Sequence, residues 1–264
     1  MTLDRLPDLL DRGVALIIFG LGIGMVALHT ALAALTARQP PARAGRVLPA
    51  AIVGAYLAAW FGLALTVGDH ANFPLRAENL RLWLSLLVGF GPMVLGIVLL
   101  FASRTVGQLN ASTPAPWLIW AQTYRVAGLM FLFPFLYYGI VPAAFAIPAA
   151  LGDFVTGAFA PLVGRAVARR RPNAIRWATA WNIFGMLDLI VAPAAAILSQ
   201  AQVLGLYPLS LIPLFLGPPL GILTHVYSLR NLATNSSTAV VEGSRPSPAI
   251  ARGATAAASA LRTT

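Results

Sequence analysis

Hydrophobic residues form seven long runs along the chain, separated by short segments that hold most of its arginines. Each run is close to the ~20 residues that an α-helix needs to cross a bilayer. The runs cover residues 14–36, 47–68, 80–102, 117–139, 143–168, 175–199 and 206–229. The pattern therefore predicts an all-α fold, a polytopic transmembrane helix bundle of about seven spans that forms one domain over residues 13–230.

The two ends of the chain differ from this domain. In residues 1–12 the leucines share one face of a helix and the charged residues lie opposite, which is typical of an amphipathic helix at a membrane interface. Residues 231–264 are rich in Ser, Thr, Ala, Pro and Gly. That composition predicts a disordered cytoplasmic tail.

Composition narrows the class of protein and of chemistry. Hydrophobic residues make up 58% of the chain and charged residues 10%. A soluble domain has ~25% charged residues, so a soluble globular fold is excluded. The chain has no cysteine, which excludes disulfides and thiolate chemistry. All 18 basic residues are arginines, so a retinal-type Schiff base, which needs a lysine, is excluded as well.

The arginines also predict the orientation, because cytoplasmic loops of membrane proteins carry an excess of positive charge. The loops after the first, third and fifth runs and the tail are rich in arginine: Arg38, Arg43, Arg46, Arg104, Arg165, Arg169, Arg170, Arg171, Arg176, Arg230, Arg245, Arg252 and Arg262. The opposite side has Arg5, Arg12, Arg76 and Arg81, accompanied by five acidic residues. We therefore expect the N-terminus outside and the C-terminus in the cytoplasm of a bacterial inner membrane, with the lipid bilayer as the partner. The net charge of +10 does not indicate nucleic-acid binding, since the arginines lie at the ends of apolar runs.

Polar residues lie inside the later apolar runs. The candidates for a proton or solute path are Gln122, Arg125, Asp153, Asn182, Asp188 and His225. An arginine in hydrocarbon costs at least ~2.5–3.5 kcal/mol, so we expect the other polar groups to surround Arg125 in the bundle interior. Two alternatives are that Arg125 extends to the cytoplasmic interface, and that the aspartates form a purely structural pair with it or cap a broken helix.

The helical rise of ~1.5 Å per residue predicts two layers of polar groups. The layer about 6–12 Å from the cytoplasmic ends of the spans contains Gln122, Arg125, Asn182, His29 and His225. Asp153 and Asp188 lie about 20–22 Å from those ends, on spans that follow each other in sequence. The two carboxylates are therefore predicted to be neighbours.

Prolines interrupt the later runs, at Pro134, Pro148, Pro193, Pro213, Pro218 and Pro219. A proline removes one backbone donor, so the last two would free the carbonyls of Leu214 and Phe215. Helices broken in this way build ion and substrate sites in some transporters, although many such prolines only kink a helix.

The histidines bear on metal and haem binding. His70 lies at the outer end of the second run and His29 and His225 lie near the inner side, so the three do not share one zinc ion. His29 and His225 alone would be axial ligands of a b-type haem if the first and seventh spans touch. Apart from this option we expect no cofactor.

The later half carries a composite pattern: Gln122 to Gly128 (Q-x-x-R-x-x-G), Gly152-Asp153, Trp181 to Asp188 (W-N-x-x-G-x-x-D), Ser210 to Pro213 (S-L-I-P) and His225 to Leu229 (H-x-x-S-L). In these motifs the chain resembles a set of uncharacterised bacterial polytopic membrane proteins. The resemblance covers about half of the chain and implies no activity or functional residue.

The favoured hypothesis is movement of a small solute or protons through the later half. Asp153 and Asp188 would bind or relay protons, Arg125 would be a counter-charge or anion contact, and the remaining polar side chains would line the path. One alternative is an intramembrane enzyme that acts on a lipid or isoprenoid with the same aspartates as acid and base. Another is a non-catalytic membrane assembly or partner protein, with or without haem.

Overall fold

The fold is described from a computed structural model, which covers residues 6–38, 48–69, 80–201 and 203–243. Within these ranges the chain is helical and contains no strand. The elements are α1 (Leu6–Ala37), α2 (Leu48–Asp69), α3 (Leu80–Ala102), α4 (Arg104–Ser112), α5 (Ala115–Trp120), a 3₁₀ segment (Ala121–Phe131), α6 (Leu132–Leu136), α7 (Ala143–Ala168), α8 (Ala174–Leu198), a short 3₁₀ turn (Val203–Gly205), a π-helical turn (Ile212–Leu216) and α9 (Pro218–Gly243). Within the described ranges, six helices are long and apolar enough to cross a membrane.

The fourth predicted span, 117–139, differs from the other six. The chain there is helical from α5 to α6, but its central 11 residues form a 3₁₀ helix instead of an α-helix. A 3₁₀ helix rises ~2.0 Å per residue, so the run from Ala115 to Leu136 is about 38 Å long and exceeds the ~30 Å apolar core of a bilayer. Pro134 contributes to the irregularity, because it removes the donor that an α-helix would offer to the carbonyl of Met130.

The helix that begins at the π-helical turn occupies the centre of the bundle. Its membrane-length window, Ile212–Asn235, is 67% buried, whereas the windows in α1, α3 and α8 are each 22% buried. Helices α1, α2 and α3 pack on one side of it, and α5, the 3₁₀ segment, α7 and α8 lie on the other. Side chains on this central helix are therefore largely shielded from the surface of the bundle.

A carbonyl freed by a proline in α3 accepts a hydrogen bond from an aromatic side chain of α2. Pro92 lies inside α3, and the indole Nε1 of Trp60 on α2 donates a 2.8 Å hydrogen bond to the carbonyl of Val88, four residues before that proline. The predicted break in the seventh run is present: the backbone leaves helical geometry at Gly217, and α9 begins at Pro218. Donors from neighbouring helices thus compensate for missing backbone hydrogen bonds, as burial in an apolar environment requires.

Replacing Trp60 with phenylalanine tests this compensation. Trp60 is 1% exposed, and the change leaves the Val88 carbonyl without its side-chain donor. We expect the free energy of unfolding to fall by ~1–3 kcal/mol, the usual cost of an unsatisfied buried acceptor. Thermal unfolding in detergent measures the change. Trp177→Phe is the matched control, because Trp177 is 69% exposed, and equal effects of the two substitutions would contradict the explanation.

The described helices continue past both predicted boundaries of the membrane domain. Helix α1 begins at Leu6, so residues 6–12 are in the same helix as the first span, whose membrane-length part begins at Arg12. Helix α9 passes the predicted boundary at 231 and ends at Gly243. Asn231 explains the extension, since its buried side chain donates to the carbonyls of Asn110 and Thr113 and holds α9 against the α4–α5 connection. Residues 1–5, 39–47, 70–79 and 244–264, which include His70, lie outside the described residues.

Candidate functional site

The 3₁₀ segment places Arg125 in the interior of the bundle. A 3₁₀ helix has three residues per turn, so positions three apart lie on one line. The buried residues Gln122, Arg125, Gly128 and Phe131 form such a line. Arg125 is only 2% exposed. The alternative in which this side chain extends to the cytoplasmic interface is therefore wrong.

The Arg125 guanidinium joins two carboxylates from neighbouring helices. Its Nε donates to Oδ1 of Asp153 on α7 at 2.6 Å, and its Nη2 donates to Oδ2 of Asp188 on α8 at 2.5 Å. Its Nη1 donates to the carbonyl of Gly185 at 3.1 Å and lies 3.1 Å from Nε2 of His225 on α9. The predicted clustering around Arg125 is thus present, and the two aspartates are neighbours as expected.

Glycines make this close approach possible. A Cβ atom added at Gly152 would overlap the carboxylate of Asp188, and one added at Gly128 would lie 2.5 Å from Oδ2 of Asp153. A Cβ atom at Gly185 would lie 2.5 Å from Nε2 of His225. Real Cβ atoms do not approach other atoms so closely, so the small residues in these motifs create the space for the charged side chains.

Hydrogen bonding defines the protonation of His225. Arginine has no acceptor atom, so Nε2 of His225 must accept the hydrogen bond from Arg125 and carries no proton. The proton is then on Nδ1, which donates to Oδ1 of Asn182 at 2.8 Å. Asn182 in turn donates through Nδ2 to the carbonyl of Ala178 at 2.8 Å. The histidine is therefore a neutral acceptor in the tautomer that Asn182 selects.

The charges of the cluster do not cancel. Arg125 contributes one positive charge, His225 is neutral, and the two carboxylates together contribute two negative charges when ionised. Four of the five guanidinium N–H groups already have acceptors: one on Nε, two on Nη1 and one on Nη2. With both carboxylates ionised, the cluster thus has one excess negative charge. Because most guanidinium donors are occupied, it has little capacity to bind an anion while these contacts persist.

Gln122 lies one 3₁₀ turn from Arg125 and contacts α9 rather than the carboxylates. Its Nε2 donates to the carbonyl of Gly221 at 3.0 Å. Its Oε1 is buried and has no hydrogen-bond partner in the described part of the chain. Gln122 therefore fixes the 3₁₀ segment to α9, next to the cluster.

A small cavity separates Asp153 from the helix break. Its volume is about 20 Å³, and its lining includes Tyr124, Asp153, Ile212, Leu216 and Gly217. About 10–15 Å³ is enough to hold a water molecule, so the cavity has room for about one. The cavity is thus lined both by the carboxylate of Asp153 and by Gly217, where the backbone of the central helix leaves helical geometry.

The histidine pair does not fit a haem. Both ring nitrogens of His225 are used, one by Arg125 and the other by Asn182. His29 donates through Nδ1 to the carbonyl of Met25 at 2.9 Å, and its Nε2 lies 3.5 Å from Oγ1 of Thr224. Among the residues described, no group of three or more His, Cys, Asp or Glu side chains is arranged to hold a metal ion.

Two side chains of the site were not among the candidates predicted from the sequence. The Tyr124 hydroxyl donates to the carbonyl of Leu216, the last residue before the break. Trp181 packs on His225 with ring centroids 5.2 Å apart and donates through Nε1 to the carbonyl of Thr156 at 3.1 Å. For Trp181 a signal was available, since it precedes Asn182 and lies four residues before Gly185. For Tyr124 the only signal is the helix break itself, which leaves carbonyls without backbone donors but does not identify the side chain that donates to them.

The two predicted layers of polar groups merge into one cluster. The long Arg125 side chain spans part of the separation, and each residue of the 3₁₀ segment adds ~2.0 Å of depth where an α-helix adds ~1.5 Å. His29 remains outside the cluster.

The helical architecture, the apolar spans and the buried ion-pair cluster fit the class of polytopic α-helical membrane proteins. A family model described as "Domain of unknown function (DUF8737)" matches residues 81–233, which is more than half of the chain. The chain belongs to this family. The comparisons with curated proteins and with solved structures yield no match. The family match contains every residue of the cluster and begins after α2.

Proposed function

We propose that the protein moves a small solute across a bacterial inner membrane in a proton-linked reaction, with its N-terminus outside and its C-terminus in the cytoplasm. The observation that carries this proposal is the sharing of one buried guanidinium by Asp153 and Asp188. In an apolar environment the excess negative charge needs a balancing cation, and a proton on one carboxylate supplies it without further ligands.

The two carboxylates differ in their surroundings, which supports different roles. Asp153 is 7% exposed and borders the cavity beside the helix break. The side chain of Asp188 is buried to the same extent, 11% exposed against 10% for Asp153, but it does not line the cavity, and its chain neighbour Leu187 is 55% exposed. We therefore assign proton exchange with the surroundings to Asp188, and coupling of protonation to the central helix to Asp153.

The remaining candidates would hold this pair in place and line the path. Arg125 is the counter-charge. Asn182 and His225 fix the direction of the guanidinium, and Gln122 fixes the segment that carries it. Because the donors of Arg125 are occupied, contact with an anionic solute would require one carboxylate to leave first.

The exposed neighbours of Asp188 favour a second candidate function. Leu187 and Val191 are more than half exposed on the surface that would face lipid. The Asp188 side chain is 11% exposed, and a lipid or isoprenoid in the bilayer would reach its carboxylate from that surface. An intramembrane enzyme with Asp188 as its acid or base is therefore the second proposal.

Electrical recording on proteoliposomes tests the first proposal. Currents on a solid-supported membrane are measured for a panel of small solutes under an imposed proton gradient. We expect a proton-dependent current in the wild type and at least a tenfold smaller current in Asp153→Asn and Asp188→Asn. His29→Gln is the matched control, because His29 is an intramembrane ionisable side chain outside the cluster.

Both single asparagine variants keep one carboxylate opposite Arg125, so they are expected to unfold at close to the wild-type temperature. Proton-dependent currents that persist in the double variant would refute transport through the cluster. Turnover of an added lipid without any proton-dependent current would support the enzyme instead.

A further inference from the structure

The turn between α7 and α8 concentrates positive charge at one end of the bundle. We call the five arginines of this region the arginine turn: Arg165, Arg169, Arg170, Arg171 and Arg176. All five side chains are exposed. They occupy 12 consecutive positions of the sequence, which no other part of the described chain matches in charge density.

Backbone hydrogen bonds give the arginine turn a defined shape. The N–H groups of Arg169 and Arg170 donate to the carbonyls of Arg165 and Val167, both at 3.0 Å. The N–H of Arg171 donates to the carbonyl of Ala166 at 3.1 Å. Arg170 adopts a left-handed conformation with φ of 49°. The arginine turn is thus a compact reversal of the chain that places five exposed arginines at one end of α7 and α8.

The two carboxylates of the buried cluster do not neutralise the arginine turn. Asp153 and Asp188 are both engaged by Arg125, deep in the bundle. Thr36, near the end of α1, lies on the same side of the bundle as the arginine turn. Helices α1 and α2 run antiparallel, so Asp69, at the end of α2, lies at the opposite end of the bundle. Glu242, near the end of α9, contributes one negative charge, which does not balance five arginines. The arginine turn therefore retains positive charge that can bind an external anion.

The neighbouring side chains indicate where that anion lies. Trp177 is 69% exposed, Leu162 is 59% exposed, and Ile175 is 42% exposed. Exposed apolar side chains on α7 and α8 are expected to face lipid, and tryptophan at the end of a span lies at the level of the lipid headgroups. The arginine turn therefore lies at the level of lipid phosphates, which guanidinium groups bind with paired hydrogen bonds.

We propose that the arginine turn is a binding site for the headgroups of anionic phospholipids. The proposal goes beyond orientation by positive charge, because orientation depends on the sum of charges and not on their arrangement. It is also independent of the proposed transport function. A clustered site predicts selective retention of anionic lipid, and it predicts that scattered arginines on the same side do not substitute for it.

Native mass spectrometry of the full chain in detergent tests the site, with phosphatidylglycerol and phosphatidylcholine of identical acyl chains as probes. We expect at least tenfold tighter binding of phosphatidylglycerol by the wild type, and loss of this preference in the triple variant Arg169→Gln, Arg170→Gln and Arg171→Gln. The double variant Arg38→Gln and Arg104→Gln is the control, because both arginines are exposed and belong to other connections of the chain, outside the arginine turn. This control is expected to keep the preference.

One further variant and one further ligand complete the test. Replacing the same three arginines with lysine keeps the charge but removes the paired hydrogen bonds, so an intermediate preference is expected. Inorganic phosphate at millimolar concentration is expected neither to displace the lipid nor to raise the unfolding temperature. Equal binding of the two lipids by the wild type, an unchanged preference in the triple glutamine variant, or stabilisation by free phosphate alone would each overturn the proposal. Unfolding without added lipid checks that every variant is folded.

Discussion

Replacing Arg125 with glutamine is expected to destabilise the fold by about 3–5 kcal/mol, the cost of leaving a buried ionic partner uncompensated. The substitution removes the one positive charge that two carboxylates share. It also removes the donors to the Gly185 carbonyl and to His225. The expected result is a large fall in the unfolding temperature in detergent, with little folded protein recovered.

Charge-balanced variants separate this explanation from a simple loss of packing. Arg125→Gln combined with Asp153→Asn and Asp188→Asn removes every charge of the cluster and is expected to recover a large part of the lost stability. Arg125→Lys keeps the positive charge but not the planar guanidinium group that donates to both carboxylates, so its stability is expected to be intermediate. If the charge-free triple variant were as unstable as Arg125→Gln alone, the ion pairs would not explain the effect.

A single methyl group at Gly152 is expected to have an effect of similar size. The added Cβ atom would overlap the carboxylate of Asp188, so that side chain must leave Arg125 or α7 and α8 must separate. One extra methyl group in a packed core usually costs ~1–3 kcal/mol, and the lost ionic contact should raise the cost of Gly152→Ala to at least ~3 kcal/mol. Chemical unfolding of the purified variant measures the cost.

Gly24→Ala is the matched control for this substitution. A Cβ atom added at Gly24 meets nothing within 4 Å, and alanine is favoured over glycine in a helix by about 1 kcal/mol. This variant is expected to be as stable as the wild type or slightly more so. Similar stabilities of Gly24→Ala and Gly152→Ala would show that α7 and α8 are not packed as closely as described.

The cluster was predictable from sequence because polar residues in apolar runs must find partners. Gln122, Arg125 and Gly128 occur at a spacing of three, and Asn182, Gly185 and Asp188 repeat that spacing. Burial of both sets confirms that these faces point into the bundle. The sequence did not reveal the direction of the Arg125 side chain. Helical geometry inclines it toward the start of its own segment, but the attraction of two carboxylates outweighs that tendency.

The 3₁₀ conformation was not predictable for a related reason. A spacing of three is compatible with both an α-helix and a 3₁₀ helix, and the choice depends on packing. At Gly157 of α7 a Cβ atom would lie 2.5 Å from the backbone nitrogen of Val126 and 3.1 Å from the carbonyl oxygen of Thr123. The backbone of the segment is therefore in direct contact with α7. A contact between two backbones leaves no pattern in either stretch of sequence beyond a glycine.

The 3₁₀ segment also has a mechanical consequence. Its 11 residues are about 22 Å long, and the same residues wound as an α-helix would be about 16 Å long. A change from 3₁₀ to α-helical hydrogen bonding would thus shorten the segment by about 5 Å, which is comparable to the rise of one α-helical turn. Arg125 lies near the middle of this segment. Its charge would therefore move along the membrane normal, without any change in the length of the loops at either end.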